Sequence, residues 1–580
     1  MSLLVLIVVA GAALSGWWFY QRVMSAKAHL TTAQADLTGV VSDYKAGNRS
    51  AALSDFDAAA SEIRLARQYT DHWTWRWAEK APKYGEDFTA LRVLVAEGDD
   101  FVTYVSPTAT RAITLEPSSL LVKGRVNVSA ITDLTSSLPD IEARLRQLRV
   151  TLTQVDSPNL VPQIREPLQK LTGMVDQGIP LLHKVNGVTS YLPDLLGAKG
   201  ARQYLMLFQN NAEARSLGGG PESFMLVRVD DGAITVIKQA TGANFVNGRK
   251  NPIATVPPEI MNVYVPNLLQ YTADFSGYPD FPTAARLAQA WWATYSKDEI
   301  DGVVSFDPVA LSYVLAATGP VKIPSGETLT TDNAVDFLLN QVYVKYPKPA
   351  TQDVVFSSAA QALFTALTSG IKSPTALVGA LQHSVTERRL LYYSNDSAEQ
   401  AAFADYPAFQ GVIPKDTATS TTTGVFLWDT SGSKVDYYLT PRVSLVAMQC
   451  SPKGTTTWTV DVTLSTNLTK AQAHALPDYV VAKASKAAGY FTTNVYVHGP
   501  QGSTLVGVEF LKNWAGQGKD AEGVIDGRPA VRLGTRQYFG DSQTIRLTFT
   551  GAGQFSTNSV QTTPGVRTTE TSAVTEQSCG

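Results

Sequence analysis

The sequence predicts a multidomain α+β protein: an N-terminal transmembrane helix, a helical bundle or stalk, a central α/β layered domain, a C-terminal antiparallel β-sandwich and a disordered tail. Three observations carry this expectation. The chain opens on an uncharged apolar run, helical spacing dominates to about residue 197, and beyond residue 412 apolar and polar residues alternate. At 580 residues the chain exceeds what one hydrophobic core serves, so several domains follow.

Ser2 to Gln21 contains no charged side chain, close to the ~20 residues that cross a bilayer as a helix. Trp17, Trp18 and Tyr20 end it, where an interfacial aromatic belt belongs. Residues 1–23 are therefore expected to anchor the chain in a lipid bilayer. Ala10, Gly11, Ala12 and Ala13 also suit a signal-peptide cleavage site, which leaves that alternative open. The body is expected outside the cytoplasm as a single-pass membrane protein, although Arg22 and Lys27 after the span point the other way.

Residues 24–197 read as the bundle or stalk. Leu53, Phe56, Ala60 and Ile63 share one helix face, as do Ile141, Leu145, Leu148, Leu152 and Val155. Trp73, Trp75 and Trp77 alternate at spacing two, which suits a bundle cap or hinge better than a helix face. From 198 to 412 short apolar strands alternate with helical pieces, the pattern of a layered α/β domain. Residues 413–551 contain runs such as Thr456–Leu464, rich in Thr and Val with period two, as in a β-sandwich. Residues 552–580 are rich in Ser and Thr with little apolar content and read as the disordered tail.

A net charge of −3 excludes the basic face of a nucleic-acid binder. The six histidines are scattered without a metal-binding spacing, and no GxSxG elbow occurs. Gly218–Gly220 lacks the GK[ST] of a phosphate-binding loop. Cys450 and Cys579 are the only cysteines, so one disulfide between them or two separate thiols are both compatible with the count.

One polar constellation remains. Between a strand-like run at Tyr204–Phe208 and a second at Phe224–Val229 lie Asn210, Asn211, Glu213, Arg215, Glu222 and Ser223, with three glycines among them. Lys238 follows, Asp301 and Asp307 flank the strand Val303–Phe306, and Arg388 and Arg389 lie further on. An arginine fork grips phosphate or carboxylate, and nearby carboxylates hold a divalent metal. A surface ion pair of Glu213 with Arg215 and turn-capping asparagines explain the same residues without a ligand.

QYLMLFQNNAEARSLGGGPESFMLVRVDDGAI, YPDFPTAARLAQAWW, IDGVVSFDPVALSYVLAATGPV, RRLLYYSNDSAEQ and GVFLWDTSGSKVDYYL, in this order, resemble the bacterial envelope family known as domain of unknown function 4012. The resemblance implies a single-span membrane protein of the cell envelope, with a helical region before the domain and a β-rich region after it. It implies no activity. The glycine loop reads Gly218-Gly219-Gly220-Pro221-Glu222-Ser223 where most members carry GGFxGS.

A more distant similarity runs to the LytR-CpsA-Psr phosphotransferases, which move glycans from polyprenyl-pyrophosphate carriers to the cell wall. Leu205–Arg215, Glu222–Val227 and Ala317–Val321 fall in that family's order. By this resemblance Arg215 would contact pyrophosphate, Glu222 would stand at a metal-binding position, Lys238 would touch phosphate, and magnesium would be the cofactor. The second-strand Pro-Arg-Asp is replaced by Lys238-Gln239-Ala240. Two functions are therefore expected: a noncatalytic envelope scaffold or glycan-binding protein contacting polysaccharide or other surface proteins, or a phosphotransferase-like enzyme or binder of lipid-linked cell-wall glycan.

Overall fold

A computed structural model describes residues 2–122, 124–155, 158–369, 371–512, 518–572 and 576–577, with the side chains of residues 2–16, 117, 368, 369, 374, 512, 576 and 577 outside the described part. The chain forms two compact units, residues 1–120 with 127–193, and residues 121–126 with 194–580.

The first unit is helical. Its long helices are α1 (Ser2–Lys45), α2 (Arg49–Thr70), α3 (Gly85–Thr114), α4 (Leu138–Val155) and α5 (Pro162–Thr189). Short connections force neighbouring helices antiparallel, and each buries one apolar stripe. Phe56 on α2 packs near Ile113 on α3, while Leu148 and Leu152 on α4 meet Leu168 and Val175 on α5. Of the three alternating tryptophans only Trp75 is buried. Its indole donates to the Phe88 carbonyl at 2.8 Å, whereas Trp73 and Trp77 face solvent. The expected transmembrane run Ser2–Gln21 lies within α1, and among the described residues no helix is long and apolar enough to cross a membrane.

The second unit contains a five-stranded mixed sheet, the two larger sheets of a sandwich, and two short two-stranded pairs at residues 121–126 and 321–329. The mixed sheet comprises β1 (Arg202–Arg215), β2 (Gly218–Asp230), β3 (Ala233–Thr241), β4 (Gly302–Phe306) and β5 (Leu390–Ser394). Their order is β3-β2-β1-β4-β5, and only the β1–β4 pair is parallel. Helices α6 (Phe281–Tyr295) and α7 (Pro308–Thr318) begin at Asp280 and Asp307, whose carboxylates cap the first turns. Helices α8 (Pro349–Ser369) and α9 (Pro374–Thr386) follow.

The sandwich strands are β6 (Ser420–Asp429), β7 (Leu439–Cys450), β8 (Thr455–Thr466), β9 (Tyr490–His498), β10 (Thr504–Lys512), β11 (Lys519–Ile525), β12 (Arg528–Tyr538) and β13 (Ser542–Ala552). One sheet runs β11-β12-β9-β6 and the other β10-β13-β8-β7. Alternate side chains enter the shared core: Leu427, Val495 and Leu533 from one sheet, Val443, Val460 and Leu547 from the other. The α/β layer and the sandwich are not independent cores. Leu311 and Leu315 of α7 join the sandwich cluster, and Phe426, Trp428 and Tyr496 of the sandwich join the cluster around α6.

The expectation of a disordered tail over 552–580 is corrected for its described residues. Residues Thr557–Thr562 form β14, parallel to β6 with Ser420 opposite Thr557, and Glu570–Ser572 form β15, parallel to β7. Glu576–Gln577 continue beside Ala447 and Met448 of β7. Backbone pairing to an open sheet edge needs few apolar side chains, so composition gave no sign of it. Cys450, ending β7, is disulfide-bonded. The expected Cys450–Cys579 pairing falls on Cys579, which lies outside the described residues.

Candidate functional site

The polar constellation does not sit in a turn. Strand β1 continues through Asn210, Asn211, Glu213 and Arg215, and Gly218–Gly220 already belong to β2. Between them is a wide bulge: Asn210 pairs with Gly220 and Ala214 with Gly219, leaving residues 211–213 unopposed. A bulge of this kind re-aims side chains beside a regular ladder. The glycines let β2 approach it closely. A Cβ on Gly219 would stand 2.0 Å from the Asn210 carbonyl oxygen, and Gly218 adopts φ +131°, which favours glycine. Close packing of β2 against the bulge thus requires glycine at 218 and 219.

Around the bulge the charges are buried and paired. Arg215, 4% exposed, directs Nε and Nη2 to Asp274 Oδ1 at 2.7 and 2.6 Å, and Nη2 also to Glu213 Oε1 at 2.8 Å. Its guanidinium lies 5.4 Å from the Trp428 ring centroid. Lys434 Nζ reaches Glu213 Oε2 at 2.5 Å and bonds Glu222 Oε1. Burial would raise the Glu213 carboxyl, but the Lys434 and Arg215 charges hold it down at about 2. Burial opposes the charge on Lys434, yet Glu213 and Glu222 raise it well above the usual lysine value.

Asp429 and Asp436 adjoin this network. Burial, reinforced by the Glu213 charge, pushes Asp429 up to about 6. Burial and the Asp429 charge push Asp436 well above the carboxylate range. Asp436 Oδ2 accepts from the Ala214 amide at 2.9 Å.

A second cluster forms at the start of α7. Asp307 caps the helix through Ala310 N at 2.8 Å, and its Oδ2 accepts from Asn211 Nδ2 and Arg389 Nη1, both at 2.8 Å. Arg389 also bonds Glu387 Oε2 at 2.6 Å and the Gly565 carbonyl at 3.0 Å. Arg388, with φ +57°, donates to the Thr562 carbonyl at 3.1 Å, and burial beside Arg389 lowers it to about 10.

A narrow cavity of about 60 Å³ opens midway along β1, at Phe208–Asn210, and at the carboxyl end of β4, where the parallel pairing of the two strands stops. Phe208, Phe306, Leu311, Leu338 and Phe356 form its apolar wall. Asn210, Glu222, Ser223 and Asp307 border it together with Asp353, whose carboxyl is raised by burial and the Glu222 charge. Asn210 Nδ2 donates to Glu222 Oε2 at 2.8 Å. A wider cleft of about 720 Å³ lies elsewhere in the unit, bordered by Tyr278, Asp280, Lys415, Gln501 and Asp526.

The predicted residues therefore divide. Asn210, Asn211, Glu213, Arg215, Glu222 and Ser223 surround the bulge, and Asp307 and Arg389 join them through Asn211. Lys238 does not: it bonds Ser296 Oγ at 2.8 Å and Asp298 Oδ1 at 2.5 Å. Asp301 lies at the other end of β4 from Asp307 and accepts from the Gln203 amide at 2.7 Å. Sequence reading missed Asp274, Asp429, Lys434 and Asp436. Three of these fall in WDTSGSKVDYY, where charges interrupt an otherwise apolar and turn-like run, and that was the available signal.

Fold and site together define an α+β protein whose central sheet is locked to a β-sandwich by buried ion pairs. Within it, residues 199–343 match the model of a family described as protein of unknown function (DUF4012). No curated protein matches the chain, and no solved structure matches it.

Proposed function

We propose that the chain is a noncatalytic scaffold or glycan-binding protein of the cell envelope, anchored in the membrane by Ser2–Gln21 with its bulk extracytoplasmic. One observation carries the noncatalytic part. Each cation of the bulge cluster is already engaged by the protein itself: Arg215 by Asp274 and Glu213, Lys434 by Glu213 and Glu222, and Arg389 by Asp307 and Glu387. A phosphate arriving there would have to displace buried carboxylates, leaving them unpaired at a cost of several kcal/mol, about 3–5 each. The wider cleft, with tyrosine, amide and carboxylate groups on its border, suits the hydroxyls of a polysaccharide.

The full-length chain in detergent, titrated with a polyprenyl pyrophosphate and magnesium, tests this. The proposal expects neither saturable binding below millimolar ligand nor phosphate release. Magnesium-dependent binding with turnover would establish instead the phosphotransferase-like reading, which the cavity beside Asn210 and the carboxyl end of β4 favours. Membrane fractionation of cells, with and without residues 2–21, tests the anchor: the intact chain is expected in the membrane pellet after alkaline extraction and the shortened chain in the supernatant.

A further inference from the structure

The helical unit carries an exposed aromatic and basic surface beside α1. At the level of Trp18 and Phe19 the neighbours of α1 turn back, since α2 ends at Thr70 and α3 begins at Gly85. The connecting residues 71–84 pack there: Trp18 meets the His72 ring at 5.3 Å between centroids, and Phe19 lies 5.5 Å from Trp75 and 5.3 Å from Phe88. Buried Trp75, bonded to the Phe88 carbonyl, holds the turn by its middle. The tryptophans on either side of it are left in water, Trp73 64% and Trp77 73% exposed, with Trp17 and Tyr84 exposed as well. Arg76, Lys80 and Lys83 are exposed among them, and the Arg22 guanidinium lies 4.2 Å from the Trp18 ring centroid. The acids of this stretch are already paired, Asp71 with Arg67 and Glu79 with Arg92, so the surface is basic.

We propose that residues 71–84 form a second membrane-contact surface, a ledge beside α1 that seats Trp73 and Trp77 in the interface of an anionic phospholipid bilayer and lays Arg76, Lys80 and Lys83 among its phosphates. The ledge rests on the membrane-anchored reading given above. Position supports it: from Gly16 back to Ser2, α1 continues for roughly 22 Å of helix, so a bilayer spanned by that segment has its surface at Trp17–Tyr20, level with the ledge. Residue type supports it too. An indole has an apolar body and one N–H, which suits the boundary between acyl chains and headgroups, while a lysine stem reaches from there to phosphate. The centre of a protein–protein interface is instead depleted of lysine, whereas here basic residues alternate with the tryptophans. A single span leaves a body free to tilt, and interfacial anchors on the bundle itself remove that freedom.

The test places the full chain in mixed phosphatidylcholine–phosphatidylglycerol vesicles, with lipid brominated near the headgroup as the quencher of tryptophan emission. Alkaline extraction reads the anchor first, and the wild-type chain should stay with the vesicles. Brominated lipid should then quench about twice as much emission in the wild type as in the Trp73→Ser/Trp77→Ser chain, where Trp17 and Trp18 remain at that level. Both replaced side chains are exposed, so the variant should keep the wild-type circular dichroism. Trypsin cleavage after Arg76, Lys80 and Lys83 of the wild type should be slower in these vesicles than in phosphatidylcholine alone, a readout that needs no variant to fold. An anchored chain quenched equally with and without Trp73 and Trp77, or cleaved equally in both lipids, would overturn the ledge and leave the anchor standing. A chain released by alkaline extraction would overturn both.

Discussion

Lys434 Nζ lies 2.5 Å from Glu213 Oε2 across 221 residues of sequence, and this contact joins the bulge of the central sheet to the turn after the first sandwich strand. Lys434 is 3% exposed and also bonds Glu222. The ammonium therefore compensates two carboxylates that water reaches poorly. Removing it leaves both without their cation.

Lys434→Met should thus destabilise the second unit by about 3–5 kcal/mol, the range for breaking a buried pair from one side. Urea unfolding followed by tryptophan fluorescence measures it. The triple change with Glu213→Gln and Glu222→Gln should recover part of the loss, since no uncompensated charge then remains. A loss below about 1 kcal/mol for the single change would show that the pair is solvated.

Arg215→Lys should not preserve stability. The guanidinium makes separate bonds to Asp274, Glu213 and the Ala214 carbonyl while stacking near Trp428. An ammonium on a flexible stem cannot hold that fork. A fall of about 2 kcal/mol or more in the urea-derived stability is expected. An unchanged midpoint would contradict the geometry.

The pH dependence has a sign set by Asp429. Its carboxyl is raised by burial from 3.8 to about 6, so the folded chain keeps a proton that the unfolded chain has released. Its contribution to stability is present at pH 4 and is lost as pH rises to about 6. Glu213, lowered to about 2 from 4.5, acts oppositely: its contribution is full above pH 4.5 and is lost as pH falls toward 2. Comparing urea midpoints of the wild-type and Asp429→Asn chains from pH 4 to 7 separates the two. The wild type should decline relative to the variant across pH 4–6, and parallel profiles would exclude the shift.

Gly219→Ala should be destabilising by about 1–3 kcal/mol, because the new methyl group would meet the Asn210 carbonyl oxygen at 2.0 Å, and backbone must move to admit it. A glycine kept for a ligand rather than for packing would tolerate the methyl group in the unliganded protein. Calorimetry distinguishes the two.

Deleting residues 554–580 should lower Tm and promote association. The segment covers edges of β6 and β7 and its carbonyls accept from Asn211, Arg388 and Arg389. The lost bonds to charged donors alone correspond to about 3 kcal/mol or more, and exposed strand edges pair between molecules. Light scattering during the melt reads both effects. A truncated chain that melts like the intact one would restore the disordered-tail expectation.

Periodicity alone was enough for the helical region and for a β-rich final third, because a helix face and a half-buried strand impose their spacings on the apolar residues. Leu148 with Leu152, and Val460 with Val462, show this directly, buried as their spacings require. The glycine run was legible as an irregularity of the backbone, though its purpose was not. Only the tertiary structure decided which charges meet. Glu213 and Arg215 read as a surface ion pair before they read as a ligand grip, and they form a buried brace because Asp274 and Lys434 arrive from distant segments. It also decided the fate of the Ser/Thr-rich end. Backbone hydrogen bonds to an open sheet edge are nearly independent of side-chain type, so no pattern in residues 557–562 or 570–572 could announce that they form strands.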